Sequence, residues 1–80
     1  MRWFFSLVEE TEEKYVYLYA RESDDLDGVI EYDKGKKTAA VITPCAKDMG
    51  SGWCIEKAVD KFVLCVCGER FPATRKVITG

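Results

Sequence analysis

The segment SGWCIEKAVDKFVLCVCG, Ser51 to Gly68, is the only long stretch of this chain with a helical apolar period, and it holds three of the four cysteines. At about 100° per residue, Ile55, Ala58, Val59, Phe62 and Val66 fall on one face, with Glu56, Lys57, Asp60 and Lys61 opposite. Ser51 is suited to cap the start of this helix, and Gly68 to end it in the left-handed conformation. A single amphipathic helix can cover one face of a sheet and no more, so the fold turns on what the remaining residues build.

Working toward the N-terminus, Thr38 to Thr43 and Val29 to Tyr32 are short β-prone runs. Between them, Asp33-Lys34-Gly35-Lys36-Lys37 reads as a tight connection, with Gly35 supplying a positive φ. Tyr15 to Ala20 alternates strictly, placing Tyr15, Tyr17 and Tyr19 on one side and Val16, Leu18 and Ala20 on the other. Arg2 to Val8 makes a first strand that ends in the acidic turn Glu9-Glu10-Thr11-Glu12-Glu13. Thr43-Pro44 can open one helical turn through Met49, closed by Gly50. Beyond Gly68, Pro72 blocks further helix, and Val77-Ile78 suits a brief edge strand or a docked tail.

Successive strands with short connections become antiparallel neighbours. Residues 1–80 are therefore expected to form one small α+β domain. It is a two-layer sandwich, an antiparallel meander of about four strands followed by one main helix packed on one face, with a short C-terminal strand or tail. The helix is expected on the Val16/Leu18 face, which leaves the three tyrosines on the uncovered side.

Composition narrows the chemistry. The 80 residues carry 12 Lys and Arg against 14 Asp and Glu and no His, for a formal charge of −2. The bases are few and interrupted, so the basic face that nucleic-acid binding needs is missing. The apolar run Trp3 to Val8 is too short to span a bilayer, and acids follow it directly. The chain is expected in the cytosol with reduced thiols and with no membrane contact. Without histidine, Ser or Cys catalysis through a His base is excluded, and paired acids such as Glu9 with Glu10 or Asp24 with Asp25 sit in turns rather than a pocket. Asp24-Asp25-Leu26-Asp27-Gly28 lacks the alternating oxygen ligands of a calcium loop, and Gly50-Ser51-Gly52 lacks the lysine of a phosphate loop.

The four cysteines invite a metal reading that their spacing opposes. Cys54 and Cys65 stand about 16 Å apart along one helix, and Cys65 and Cys67 diverge by about 160°. Cys54 and Cys65 border the apolar stripe and suit burial, while Cys45 in a loop and Cys67 toward the polar side are the candidate reactive thiols. The candidate interaction residues are Tyr15, Tyr17 and Tyr19, joined by Trp53 and Leu64, which project onto the polar arc of the helix. No cofactor and no catalysis are expected. The reading is a non-catalytic protein-protein interaction module that self-associates as a homodimer, and the alternative is a redox sensor or metal binder using Cys45 and Cys67.

Overall fold

The computed structural model describes residues 2–22, 25–46, 52–73 and 76–79. It is an α+β structure, with a five-stranded antiparallel sheet and one helix. The strands are β1 (Arg2–Glu10), β2 (Lys14–Arg21), β3 (Gly28–Asp33), β4 (Thr38–Thr43) and β5 (Lys76–Thr79), and the helix α1 spans Gly52–Lys61. The first four strands form the expected meander, and the C-terminal segment is a true strand on the far side of β1, giving the order β4-β3-β2-β1-β5. Each pairing is antiparallel. The chain therefore leaves one edge of the sheet at β4 and returns at the other edge as β5, running in the same direction. Such a connection has to cross a face.

Turn chemistry sets the register. Thr11 Oγ1 accepts the N–H groups of Glu13 and Lys14 at 3.2 and 3.1 Å, closing the first hairpin. At the third, Asp33 Oδ1 accepts the Lys36 N–H at 2.9 Å, and the positive φ falls on Lys37 (56°) rather than on Gly35. The hydrogen bond from Lys37 N–H to the Asp33 carbonyl, at 2.7 Å, holds Lys37 in that conformation. β1 extends to Glu10, so Glu9 and Glu10 lie in a strand and not in the turn.

The crossing covers the face opposite to the one expected. Tyr17 and Tyr19 are completely buried, in one cluster with Trp3, Phe5, Ile30, Cys45, Ala58, Phe62 and Val66. Phe62 packs edge-on against Tyr17 at 5.2 Å and against Phe5 at 5.6 Å between ring centroids, and Phe5 stacks on Tyr19. The physical reason is visible in the pairing. Phe5 lies opposite Tyr19, Leu7 opposite Tyr17, Tyr17 opposite Ile30, and Tyr15 opposite Tyr32, so the tyrosine side carries the larger apolar area throughout the sheet. The Val16/Leu18 side is diluted by Ser6, Ala20 and Glu31. Burial costs the tyrosines little, because the crossing segment supplies their hydroxyls with partners. Cys45 N–H donates to the Tyr19 hydroxyl at 3.1 Å before the helix, and the Tyr17 hydroxyl donates to the Pro72 carbonyl at 2.8 Å after it. Trp3 Nε1 is different, a buried donor with no acceptor among the described residues, a defect that costs about 1–3 kcal/mol.

The inward stripe of the helix is Ala58, Phe62 and Val66, with Val59 packed beside it. After Lys61 the helix widens into a π-helical segment, Phe62–Cys67. Its longer-range hydrogen bonding rotates later residues relative to an α-helix. Cys65 and Cys67 consequently both pack against the core, and Cys67 does not take the expected place on the polar side. Gly68 is helical (φ −64°), not left-handed, and an added Cβ there would come within 2.5 Å of the Leu64 carbonyl oxygen. Arg70 and Phe71 take the left-handed conformation instead, at 61° and 58°. Phe71 is held there by a hydrogen bond from its N–H to the Val66 carbonyl at 2.9 Å and by stacking on Tyr15 with centroids 4.0 Å apart. The Ser51 cap and the single turn through Met49 fall on positions outside the described residues, from 47 to 51.

Candidate functional site

Because side chains opposite each other in a ladder share a face, the register defines the side of the sheet opposite Tyr17 and Tyr19. Val77 lies opposite Phe4, Phe4 opposite Ala20, Ser6 opposite Leu18, Leu18 opposite Val29, and Val29 opposite Thr43. Along the next row, Glu9 faces Val16, Val16 faces Glu31, and Glu31 faces Ala40. Phe4, Val16, Leu18 and Val29 are half-buried and Ala20 is buried, while Val77 and, in a bulge of β4, Ile42 are about half exposed. The result is an apolar band across the strands, with Arg2 at one end and Glu9, Glu31 and Lys14 at the other.

At that end Lys14 pairs with Glu31 at 3.4 Å. Together with Asp33, Lys36, Thr38, Ala40 and Ile42 they line an open depression of about 230 Å³. Ligand sites are enclosed clefts of about 300–1,000 Å³ with convergent polar groups, so this shallow surface is poorly suited to a small molecule. Its opposite charges also neutralise one another. No group of three or more His, Cys, Asp or Glu among the described residues is placed to hold a metal ion. No helix among them is long and apolar enough to cross a membrane.

The residues singled out from sequence separate widely. Tyr17 and Tyr19 are core, which withdraws them as contact residues. Burial raises the phenol of Tyr17 far above its ordinary range, with Tyr15, Cys67 and Glu10 adding smaller effects in the same direction. Tyr15 is half-buried under Phe71, with Lys34 Nζ 4.3 Å from its ring centroid and the same amine 3.1 Å from Glu10. Trp53 and Leu64 are 64% and 71% exposed, as their place on the helical arc implies, yet they stand on the helix and contribute nothing to the uncovered sheet face.

All four cysteines are free thiols. Cys45 is only 1% exposed, and its backbone is tied to Tyr19. Burial pushes the Cys67 thiol up to about 11, against a weaker opposing effect of its own backbone hydrogen bond. A reactive thiol needs an accessible setting that favours the thiolate; Cys45 lacks the access, and burial works against the thiolate at Cys67. Cys54 and Cys65 are half-buried rather than buried.

Sequence reasoning passed over the Phe4/Leu18/Val29 band because Tyr15, Tyr17 and Tyr19 dominated the reading of β2. The signal was in β1, where Trp3, Phe5 and Leu7 outweigh Phe4, Ser6 and Val8 and so mark the heavier side. No family model, curated protein or solved structure matches this chain.

Proposed function

We propose that this protein is a non-catalytic module of the cytosol that acts through protein-protein contact, by associating with copies of itself on the uncovered side of a two-layer sandwich. The observation that carries the reading is the apolar band of Phe4, Val16, Leu18 and Val29, partly exposed and continued by the half-exposed Val77 and Ile42. Contiguous apolar patches of this kind mark contact sites in proteins that otherwise keep their surface polar.

Size sets the strength of the contact. Five strands at about 4.8 Å spacing and about 17 Å of strand length give a face of about 400 Å², so two such faces cover about 800 Å², below the range of stable specific interfaces. The whole chain exposes 4791 Å². A compact monomer of this mass exposes about 4,900 Å², so the chain is as compact as a monomer of its size, and an association over so small a face is concentration-dependent. The thiol alternative loses support from the burial of Cys45 and the raised titration of Cys67.

Sedimentation equilibrium from low micromolar to millimolar protein tests the proposal. The mass is expected to rise above that of one chain, and Leu18→Glu is expected to suppress the rise while leaving the circular dichroism intact. A mass of one chain at every concentration would overturn it.

A further inference from the structure

The sheet has three lengths of unpaired strand edge, and they are not equivalent. On the β5 side the edge is four residues long, and Lys76 is ion-paired with Glu69. The free half of β1 carries Glu9 and Glu10 and an irregularity between Leu7 and Glu9. Charges and bulges of this kind are what keep an edge from pairing with another chain. β4 is different. Its sequence, TAAVIT, has no charge and no proline, and its register stays regular from Thr38 to Val41 before the bulge at Ile42. None of its residues has a described hydrogen bond beyond the ladder with β3.

Charge marks the two ends of this edge with opposite sign. At its start the turn presents Lys36 and Lys37, both exposed and in no ion pair among the described residues. At its end Asp27 is exposed and accepts the Ala46 N–H at 3.1 Å, which places its carboxylate beside the continuation of β4. Asp25 adds a second exposed acid in the same connection. A strand of the same sequence laid antiparallel brings Lys36 and Lys37 of each copy to the Asp27 end of the other, twice by symmetry. A parallel copy would set like charges together at both ends.

We propose that a second copy of this chain pairs with β4 edge to edge and antiparallel, about a two-fold axis near Ala40, with the lysine turn of each protomer against the Asp25/Asp27 connection of its partner. This contact is separate from the apolar face and rests only on the reading that the chain self-associates. The regular part of the ladder is four residues, so the pairing is weak and reversible.

Charge exchange tests it. Lys36→Glu with Lys37→Glu, and separately Asp25→Lys with Asp27→Lys, are each expected to raise the dimer dissociation constant at least about tenfold, since each sets like charges together at both ends. An equimolar mixture of the two variants is expected to restore association, because every contact in that heterodimer is again between opposite charges. Added salt is expected to weaken the wild-type dimer. Should the aspartate variant fail to fold, Asp27→Asn keeps the hydrogen bond to Ala46 and still lowers affinity. If the wild-type mass rises but neither charge variant changes it and the mixture does nothing, the edge pairing is overturned while association through the apolar face stands. If the wild-type mass never rises, both fail.

Discussion

Phe62 is the residue whose removal tests the layer assignment most directly. Its ring is fully buried, 5.2 Å from Tyr17, 5.6 Å from Phe5 and 6.5 Å from Phe71 between centroids, so it joins the helical segment to β1, β2 and the chain beyond the helix. Truncation to alanine removes the transfer energy of the ring and leaves a cavity among three aromatic neighbours, for a cost of about 3–5 kcal/mol. A domain of this length holds about 4–12 kcal/mol in all, so Phe62→Ala is expected to be marginally folded or unfolded at room temperature. Phe62→Leu gives a measurable midpoint. It retains much of the volume and costs about 1–1.5 kcal/mol. With a urea slope of about 1 kcal/mol per molar, its transition falls by about 1 M. Leu64, two residues along and 71% exposed, is the control, and Leu64→Ala is expected within about 0.5 kcal/mol of wild type. Urea titrations followed by far-ultraviolet circular dichroism read all three. Equal midpoints for Phe62→Leu and Leu64→Ala would refute the packing of this segment on the tyrosine side.

Three further outcomes follow from the same core. A Cβ at Gly28 would lie 2.7 Å from Tyr19 Cδ1 and 2.9 Å from the Cys45 nitrogen, so Gly28→Ala is expected to cost about 1–3 kcal/mol in thermal denaturation; a neutral result would mean that the loop at Cys45 yields freely. Tyr17→Phe removes the donor to the Pro72 carbonyl and is expected to cost about 1 kcal/mol in urea, with no loss if water replaces it fully. Cys67 titrates at about 11 when folded against an ordinary 9.0, so its contribution is complete below about pH 9 and is lost as the pH climbs toward 11. The full shift corresponds to about 2–3 kcal/mol and, allowing for partial exposure, to about 1 kcal/mol. Stability measured against pH is therefore expected to fall more steeply over that window in wild type than in Cys67→Ala, and parallel curves would show that the thiol is not desolvated.

The first four strands, the inward helical stripe at Ala58, Phe62 and Val66, and the exposure of Trp53 and Leu64 were legible from residue periodicity, and the antiparallel meander from the short connections, while Val77-Ile78 stayed open between a strand and a docked tail. Periodicity is a property of neighbouring residues, and it survives whatever the rest of the chain does. The choice of covered face was not legible in β2 alone, because Tyr17 and Tyr19 offer a large apolar ring and a polar tip together. Which property prevails depends on whether a partner for the hydroxyl lies nearby. That partner came from residues far along the chain: the Cys45 nitrogen for Tyr19 and the Pro72 carbonyl for Tyr17. The widening of the helix after Lys61, which turns Cys67 inward, and the left-handed pair at Arg70 and Phe71 were not legible either, and Phe71 is held by its stacking on the distant Tyr15.

Local pattern by itself settled that this chain makes a sheet and one helix, because alternation and helical period need no knowledge of distant residues. Only the tertiary structure decided which side of the sheet is interior. β4 and β5 run in the same direction at opposite edges, so the connection between them has to cross one face, and it crosses the one where aromatic area is greatest and each buried hydroxyl meets a backbone partner. That choice left Phe4, Leu18 and Val29 on the other side and left β4 as the edge without charge, the two surfaces from which self-association is proposed here.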